Sequence, residues 1–342
     1  MSGRLGEEMV TVWDHPAFDG HDPGAGHPEQ PARAAAARAG ARRAGARWAE
    51  APAAAAADLE AVHTVAHIRA VLALDGHHAV LDPDTALGPG SVEAALRAAG
   101  GARAAAVALG REGAPGFVLA RPPGHHATAG RAMGFCVFNA AALAAATLSA
   151  GGHRVLVFDP DVHHGNGTQA IFWSDPRVLV ASMHLWPFWP GTGAFGEVGG
   201  GRGRGATLNT PMPDGAGDAV YRAAFEARVL PAVRAFRPSR VVVSCGFDAL
   251  EGDPVGRARL SPAGLAAMVG ALAREAPALA VLEGGYDLGN LAAGVEAVLP
   301  ALAGAAAPWP VAAARLSAGE RARLCAHPLL DGAPEGQEEA ER

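Results

Sequence analysis

The sequence contains no lysine, because all 28 basic residues of the 342-residue chain are arginines. With 34 acidic residues the formal net charge is −6, which argues against a nucleic-acid partner, since binding through phosphate neutralisation needs a basic face. The sequence therefore predicts no such partner. The arginine bias, with its abundant alanine, is typical of a GC-rich genome.

Cysteine is also scarce. Cys136, Cys245 and Cys325 are odd in number, far apart and not arranged as C-x-x-C, so no disulfide framework is expected and a reducing compartment fits best. The amino terminus has no apolar segment typical of a secretory signal, and no run approaches the ~18 apolar residues of a membrane span. These absences predict a cytoplasmic chain with no membrane partner.

Short apolar runs alternate with longer, alanine-rich, helix-favouring segments. Continuous apolar runs are typical of parallel strands buried on both faces, and strand–helix alternation favours an α/β protein with a mostly parallel sheet. The predicted strands are 117–120, 154–158, 178–182, 240–244 and 279–282, and the predicted helices are 31–49, 58–74, 91–109, 139–149, 217–236 and 261–276.

One domain over residues 1–307 is expected, because no linker or internal repeat interrupts this alternation. From residue 308 onward the pattern decays. The segment 308–342 is predicted to be a C-terminal extension ending in an acidic, disordered tail, DGAPEGQEEAER.

Four predicted strands are each followed at once by polar, ionisable residues. In open parallel sheets, ligand sites form at the carboxyl ends of the strands, so these segments are expected to share one crevice although they span 160 residues. The segments are RPPGHHA at 121–127, DPDVHHGNG at 159–167, CGFDALEGDP at 245–254 and EGGYDL at 283–288.

An Asp/His/Asp set in these segments predicts a metal site. Asp161 and His163 are two residues apart, so an extended backbone points both side chains the same way, and Asp248 can approach from a neighbouring strand. Three protein ligands leave a fourth position open, as in catalytic zinc sites. The same ligands also accept Fe²⁺ or Co²⁺.

Tandem histidines follow a rigid Pro-Pro-Gly turn and are poorly suited to a core. His125 and His126 are candidates for the base that takes a proton from water at such a metal, and Asp159 and Asn166 are available to set their tautomers. Tyr286, behind two glycines, is a candidate for stabilising an oxyanion.

The order and spacing of these motifs resemble the zinc-dependent histone deacetylase superfamily, which includes acetylpolyamine amidohydrolases. The similarity runs from about residue 10 to about residue 305. The motifs that carry it are HPE (27–29), RPPGHHA (121–127), GFCVFN (134–139), DPDVHHGNGT (159–168), PGTG (190–193), GFDALEGDP (246–254) and LEGGY (282–286).

The resemblance implies a three-layer arginase–deacetylase fold with a central, mostly parallel eight-stranded sheet, and hydrolysis of an N-acetylated amine, either acetyl-lysine or an acetylated polyamine or small amine. It assigns zinc to the Asp/His/Asp set. It makes His126 the general base and acid, pairs His125 with Asp159 and His126 with Asn166, and has Tyr286 polarise the acetyl carbonyl.

The resemblance also implies a substrate channel and a structural potassium ion. The carbonyl of Gly134 would accept the substrate N–H, and Phe135 and Trp189 would form channel walls, Trp189 replacing a phenylalanine. Val255 is apolar where the polyamine-selective branch carries a glutamate, so a cationic tail would lose its partner unless Glu251 compensates. The implied potassium ligands come from Asp159, Asp161, His163, Ser182 and Met183.

Two other functions stay open on the sequence. An arginase-like ureohydrolase would need two manganese ions and further bridging carboxylates, and a non-catalytic binder of acetylated ligands would not turn over any amide. The physiological substrate and the oligomeric state, whether dimer or tetramer, are not determined by the sequence.

Overall fold

A computed structural model of the protein describes residues 9–330. The ten strands of this part of the chain are β1 (Thr11–Asp14), β2 (Arg47–Glu50), β3 (Ala79–Asp82), β4 (Thr85–Leu87), β5 (Gly116–Val118), β6 (Val155–Asp159), β7 (Val178–Leu185), β8 (Thr207–Met212), β9 (Arg240–Cys245) and β10 (Ala278–Leu282).

Eight of these strands form one parallel sheet in the order β2-β1-β5-β10-β9-β6-β7-β8, and β3 and β4 form a separate antiparallel hairpin. The predicted eight-stranded parallel sheet is thereby confirmed. Every residue of β5, β6, β7 and β10 is buried, which is why these strands lack polar–apolar alternation.

Helices flank the sheet, with α5 packed on α6 and α11 packed against both α2 and α10. A π-helical turn, Phe225–Val229, joins α8 to α9. The helices of the described residues are α1 (Ala17–Gly20), α2 (Ala32–Arg43), α3 (Ala56–Leu59), α4 (Val65–Leu72), α5 (Ser91–Glu112), α6 (Ala140–Ala150), α7 (Asn166–Phe172), α8 (Asp218–Ala224), α9 (Leu230–Phe236), α10 (Pro262–Glu275), α11 (Leu288–Leu302) and α12 (Ala318–Cys325).

All five predicted strands are present, but two predicted helices are wrong in extent. The helix predicted over 31–49 ends at Arg43, since Gly45 adopts a positive φ of 72° and the chain then enters β2. The helix predicted over 58–74 divides into α3 and α4, because the Thr64 hydroxyl accepts a hydrogen bond from the His67 N–H and starts a new helix.

Three sheet strands and one long helix were not predicted. β1 and β2 have only four residues each, and β8 reads TLNTPM, which lacks a continuous apolar run. α11 begins at an Asp287 cap that accepts from the Asn290 N–H, but its glycines and internal proline obscure the helical pattern. No helix among residues 9–330 has the length and apolarity needed to cross a bilayer.

The predicted C-terminal extension begins at residue 308, and its described part packs on the domain. The Ala314 N–H donates to the Ala219 carbonyl, and the Trp309 ring lies 6.1 Å from that of Phe225. The acidic tail expected at 331–342 lies outside the described residues.

Candidate active site

The structure brings Asp161, His163 and Asp248 together. One donor atom from each lies within 4.8 Å of the other two. His163 Nδ1 is 3.2 Å from Asp161 Oδ1 and 3.2 Å from Asp248 Oδ2. Asp161 and His163 follow β6, and Asp248 follows β9, which is the neighbour of β6 in the sheet. The two carboxylates are fully buried.

Backbone groups and two glycines hold these carboxylates in place. The Gly284 N–H donates to Asp161 Oδ2 at 3.1 Å, and the Val162 N–H donates to Asp248 Oδ1 at 2.9 Å. A Cβ atom at Gly284 would lie 2.2 Å from Asp248 Oδ2, and one at Gly246 would lie 2.0 Å from Asp161 Oδ2. Only glycine permits this close approach of backbone to carboxylate.

The charges of this cluster fit a bound cation. Burial and the neighbouring Asp161 carboxylate raise the pKa of Asp248 to about 7. Burial disfavours the charged form of His163, but hydrogen bonds to Asp161 and Asp248 outweigh it and raise its pKa to about 10. Two buried carboxylates and one imidazole nitrogen that point at one another therefore call for positive charge between them, and this donor set is one that zinc accepts.

The tandem histidines are held by the partners that were predicted. His125 Nδ1 is 3.0 Å from Asp159 Oδ2, and His126 Nδ1 is 2.8 Å from Asn166 Oδ1. Asn166 Oδ1 only accepts, so His126 carries its proton on Nδ1 and keeps Nε2 available as a base.

The two imidazoles differ in charge. Burial, followed by the nearby positive charges of His125 and His163, holds the pKa of His126 well below its usual range. Burial alone would also lower the pKa of His125, but the carboxylates of Asp161 and Asp159 outweigh burial and raise that pKa well above 6.5. His126 is therefore the neutral member of the pair and His125 the charged one.

Tyr286 lies beside this pair on the loop that follows β10. Its N–H donates to Asp253 Oδ2 at 2.6 Å, and Gly285, with φ of +114°, turns the chain toward the cluster. The Arg33 guanidinium lies 4.8 Å from the ring centroid. Burial raises the pKa of the Tyr286 phenol well above 10, so at neutral pH the hydroxyl is a hydrogen-bond donor.

A cavity of about 140 Å³ opens onto these groups. All four residues predicted for the substrate channel line it: Gly134, Phe135, Trp189 and Val255. Asp84 also lines it and was not predicted; its Oδ1 accepts a hydrogen bond from the Gly134 N–H at 3.0 Å.

Next to the channel-lining Trp189 lies Phe188, an aromatic residue that contacts the site and that sequence reasoning missed. Trp189 meets His126 edge-on at 4.6 Å between ring centroids, while Phe188 stacks on His163 at 5.2 Å. Glu251, which was considered as a substitute carboxylate for Val255, is exposed and faces Arg259 at 4.0 Å rather than lining the cavity.

The residues expected to hold potassium lie beside the cluster. Asp159 and Ser182 are paired in register across β6 and β7. The Asp159 Oδ1 accepts from the Asp161 N–H at 3.1 Å, and the Ser182 hydroxyl contacts His184 Nδ1 at 2.8 Å. Met183 is fully buried. The potassium site stays a prediction.

A buried ion network behind Tyr286 was also not predicted. Both oxygens of the Glu29 carboxylate bind Arg121 at 2.7 Å, and Glu29 Oε1 also accepts from Arg33 at 2.7 Å. Arg33 in turn donates to the carbonyls of Glu283 and Gly285. The loop that carries the tyrosine is thus anchored to the first helices of the chain.

A second group of possible ligands, His125, Cys136 and Glu283, offers only one carboxylate. The Glu283 Oε2 accepts from the N–H groups of Gly124 and His125, and the Glu283 Oε1 accepts from the Ser244 hydroxyl. These oxygens are already occupied, so the group lacks the bridging carboxylates that a two-manganese ureohydrolase would need.

The chain matches the family model described as "Histone deacetylase domain" over residues 27–302. It is 43% identical to histone deacetylase 15 of Arabidopsis thaliana over 72% of this chain and 46% of that protein. It is 38% identical to a probable deacetylase of Archaeoglobus fulgidus over 71% of this chain and 68% of that protein.

A histone deacetylase-like amidohydrolase of Pseudomonas aeruginosa is 42% identical over 69% of this chain and 65% of that protein. The crystal structure of the HDA15 HD domain superposes with a TM-score of 0.85 at 36% identity, covering 93% of both chains. The chain therefore spans about half the length of its Arabidopsis relative but nearly all of a solved domain.

Proposed function

The chain belongs to the histone deacetylase family, and from this membership we propose that it is a zinc-dependent amidohydrolase that removes the acetyl group from an acetylated amine. One observation carries the proposal: Asp161, His163 and Asp248 converge, and His163 lines a cavity that also presents a neutral histidine and a protonated phenol. A non-catalytic binder would have no use for all of these groups together.

Asp161, His163 and Asp248 would hold the zinc ion, and Fe²⁺ or Co²⁺ would also suit these ligands. When bound, the ion would supply Lewis acidity toward water and toward the acetyl carbonyl. A structural potassium ion at Asp159, Asp161, His163, Ser182 and Met183 is part of the same proposal.

The protein's own residues move the proton. His126 Nε2 takes a proton from the attacking water, since its pKa is lowered and its Nδ1 proton is held by Asn166. The charged His125, paired with Asp159, assists electrostatically. As the tetrahedral species forms, the Tyr286 hydroxyl donates a hydrogen bond to the carbonyl oxygen. His126 then returns the proton to the departing amine.

The channel favours a slender acyl-amine chain. Phe135 and Trp189 would enclose the aliphatic part, and the Gly134 carbonyl would accept the amide N–H. Val255 lines the cavity and Glu251 faces Arg259, so neither supplies the carboxylate of the polyamine gatekeeper, and the Asp84 carboxylate that also lines the cavity already accepts from the Gly134 N–H. An acetyl-lysine side chain therefore suits the channel better than an acetylated polyamine. The cytoplasmic location and a dimeric or tetrameric state stay predictions.

The test is Tyr286→Phe, assayed on acetyl-lysine peptides, acetylated polyamines, longer acyl-lysines and small acetylated amines. Removing one oxyanion donor typically lowers kcat by about 10²–10³. We expect a loss of this size on every substrate that the parent protein turns over, with one zinc per chain retained by elemental analysis.

Three results would contradict the proposal. Full activity of Tyr286→Phe would remove the tyrosine from the mechanism. Two manganese ions per chain would favour the ureohydrolase, and stoichiometric zinc without turnover of any acylated amine would favour the non-catalytic binder.

A further inference from the structure

The outer wall of the channel is carried by the segment 186–197, which we call the wall loop. It contains Phe188 and Trp189, whose rings contact His163 and His126. The wall loop follows β7 and contains no helix or strand. One backbone hydrogen bond in the described structure, from the Trp186 N–H to the Met212 carbonyl at 3.0 Å, joins the start of the loop to β8. Beyond that point the position of the loop depends on side-chain contacts.

The end of the wall loop is held by a chain of buried amides. The Glu197 carboxylate accepts from the N–H groups of Gly193 and Ala194 at 3.0–3.1 Å. Gln169 donates to Glu197 Oε2 at 2.6 Å, and Asn209 donates to Gln169 Oε1 at 2.7 Å. The wall loop is thus connected through α7 to the edge strand β8.

Phe195 connects the same loop to the C-terminal segment. Two guanidinium groups lie over its ring: that of Arg228 at 5.0 Å from the centroid and that of Arg323 at 4.5 Å. Arg228 belongs to the π-helical turn, and Arg323 belongs to α12. Cations at this distance from an aromatic face are attracted to it.

Arg228 is fully buried, and within residues 9–330 no carboxylate pairs with it. Its Nε donates to the Asn209 carbonyl at 2.9 Å, and its Nη1 donates to the carbonyls of Leu324 at 2.5 Å and Ala326 at 3.3 Å. The last two acceptors belong to the C-terminal end of α12, where unpaired carbonyls carry partial negative charge. The end of this helix therefore substitutes for a counter-ion.

The same contacts cover the open edge of the sheet. β8 is an edge strand of the eight-stranded sheet, so the backbone groups on its outer side have no strand partner. The Thr207 carbonyl accepts from His327 Nε2 at 2.7 Å, and the Asn209 carbonyl accepts from Arg228. The segment that provides His327 begins 15 residues beyond the end of the family match at residue 302.

We propose that the segment 317–330, together with Arg228, acts as a brace that fixes the wall loop, and that Arg228 and Arg323 are positioning residues for the channel. Neither touches the reacting groups. Both act through Phe195, and Arg228 also acts through β8. The consequence for substrate selection rests on the proposed deacetylase function, whereas the brace itself does not.

The first test compares Arg323→Ala with Arg321→Ala by hydrogen exchange of the wall loop. Both arginines are exposed on α12, and of the two only Arg323 contacts Phe195 in the described structure. A cation–π contact at an exposed site is worth about a 2- to 5-fold change in an equilibrium. We expect amide exchange at residues 188–197 to accelerate by about that factor in Arg323→Ala and to be unchanged in Arg321→Ala.

The second test is Arg228→Lys. This substitution keeps the positive charge, but a lysine ammonium cannot reach all the backbone carbonyls that the guanidinium binds. We expect wall-loop exchange to accelerate by about tenfold, and KM for acyl-lysine peptides to rise by about 2- to 5-fold with kcat little changed. Because the wall contacts the acyl chain, the ratio of KM values for acetyl and longer acyl groups should also change.

If the arginines only stabilised the fold, Arg228→Lys and Arg323→Ala would lower the unfolding midpoint without altering wall-loop exchange or the KM ratio. This result would overturn the proposal. Equal exchange in Arg323→Ala and Arg321→Ala would overturn it as well. If the parent protein turned over no acylated amine, the proposed function would fail, while the exchange measurements would still decide the brace.

Discussion

Of the buried histidine pairs in the described structure, two have the same chemistry and different surroundings. In the first pair, His63 and His67, the rings lie 5.0 Å apart. His63 Nδ1 donates to the Thr128 carbonyl at 3.0 Å, and His63 Nε2 accepts from the Asn139 N–H at 2.9 Å. These two hydrogen bonds leave no nitrogen of His63 for a metal or a proton. The four-residue spacing between His63 and His67 therefore places the two rings for packing.

In the second pair, His125 and His126, the rings lie 3.9 Å apart and line a cavity. Each Nδ1 binds a side-chain oxygen, of Asp159 or Asn166, and His126 Nε2 keeps no protein partner in residues 9–330. His67 also has one bound nitrogen, its Nε2 at 3.0 Å from the Val137 carbonyl, but it does not line the cavity. The comparison teaches that a functional histidine is identified by an unused nitrogen on a ring that lines the cavity, and not by burial or by the spacing of histidines.

The largest effect on catalytic activity should come from His126→Gln. A positioned general base contributes about 10²–10⁴ in rate, so kcat should fall by that factor, while metal content stays at the parent level because His126 is not one of the three converging ligands. Steady-state kinetics and elemental analysis would measure both quantities.

The matched control is His67→Gln in the first pair, which we expect to retain kcat within about twofold. If His67→Gln lost activity as severely as His126→Gln, the distinction drawn between the two pairs would be wrong.

An intermediate effect is expected from Asn166→Asp. A carboxylate next to the His126 Nδ1–H stabilises the charged imidazolium, so the pKa of His126 should rise, by about one unit or more. His126 would then be protonated, and useless as a base, at higher pH. The acidic limb of the kcat/KM profile should therefore move to higher pH by the same amount.

The variant Asn166→Ala separates the effect of a charge at position 166 from the effect of losing the hydrogen bond that orients His126. It adds no carboxylate but removes the acceptor that sets the tautomer, so kcat should fall by about 10- to 100-fold without an upward shift of the acidic limb. An identical profile for the two variants would refute the assigned role of Asn166.

The smallest effect on activity, but a clear effect on stability, is expected from His63→Gln. Burial, with a lesser contribution from the charge of His67, lowers the pKa of His63 to about 4. The unfolded chain binds this proton below about pH 6.5 and the folded chain does not, so His63 reduces stability as the pH falls from about 6.5 to 4, by roughly 3 kcal/mol at most.

His63→Gln should therefore flatten the dependence of the unfolding free energy on pH within this window, with kcat unchanged at pH 7. Chemical denaturation at several pH values would measure the slope. His78→Gln, at an exposed position, is the control and should leave the slope unaltered; a parent-like slope in His63→Gln would show that His63 already charges in the folded state.

Much of the candidate site could be predicted because its signals are local. Asp161 and His163 directly follow an apolar strand, and parallel strands place their carboxyl ends at one edge, so convergence with Asp248 required no knowledge of the packing. The partners of His125 and His126 were likewise within reach, since Asp159 and Asn166 lie in the same short motif.

Other features carried no local signal. The Glu29, Arg33 and Arg121 network joins residues up to 92 positions apart along the chain, and an isolated arginine in a sequence normally indicates solvent exposure. Asp84 enters the channel only because its loop packs against Gly134. Phe188 and the brace at Arg228 depend in the same way on contacts between distant segments.

The sequence by itself determined the α/β class, the parallel strands and the set of ionisable residues at their ends, because strand burial and strand-end chemistry depend on neighbouring residues. Only the tertiary structure decided which histidine nitrogens remain unpaired, which aromatic side chains form the channel wall, and that the segment 317–330 supports it. These properties arise from contacts between residues far apart in the chain, where burial and dielectric are set by packing.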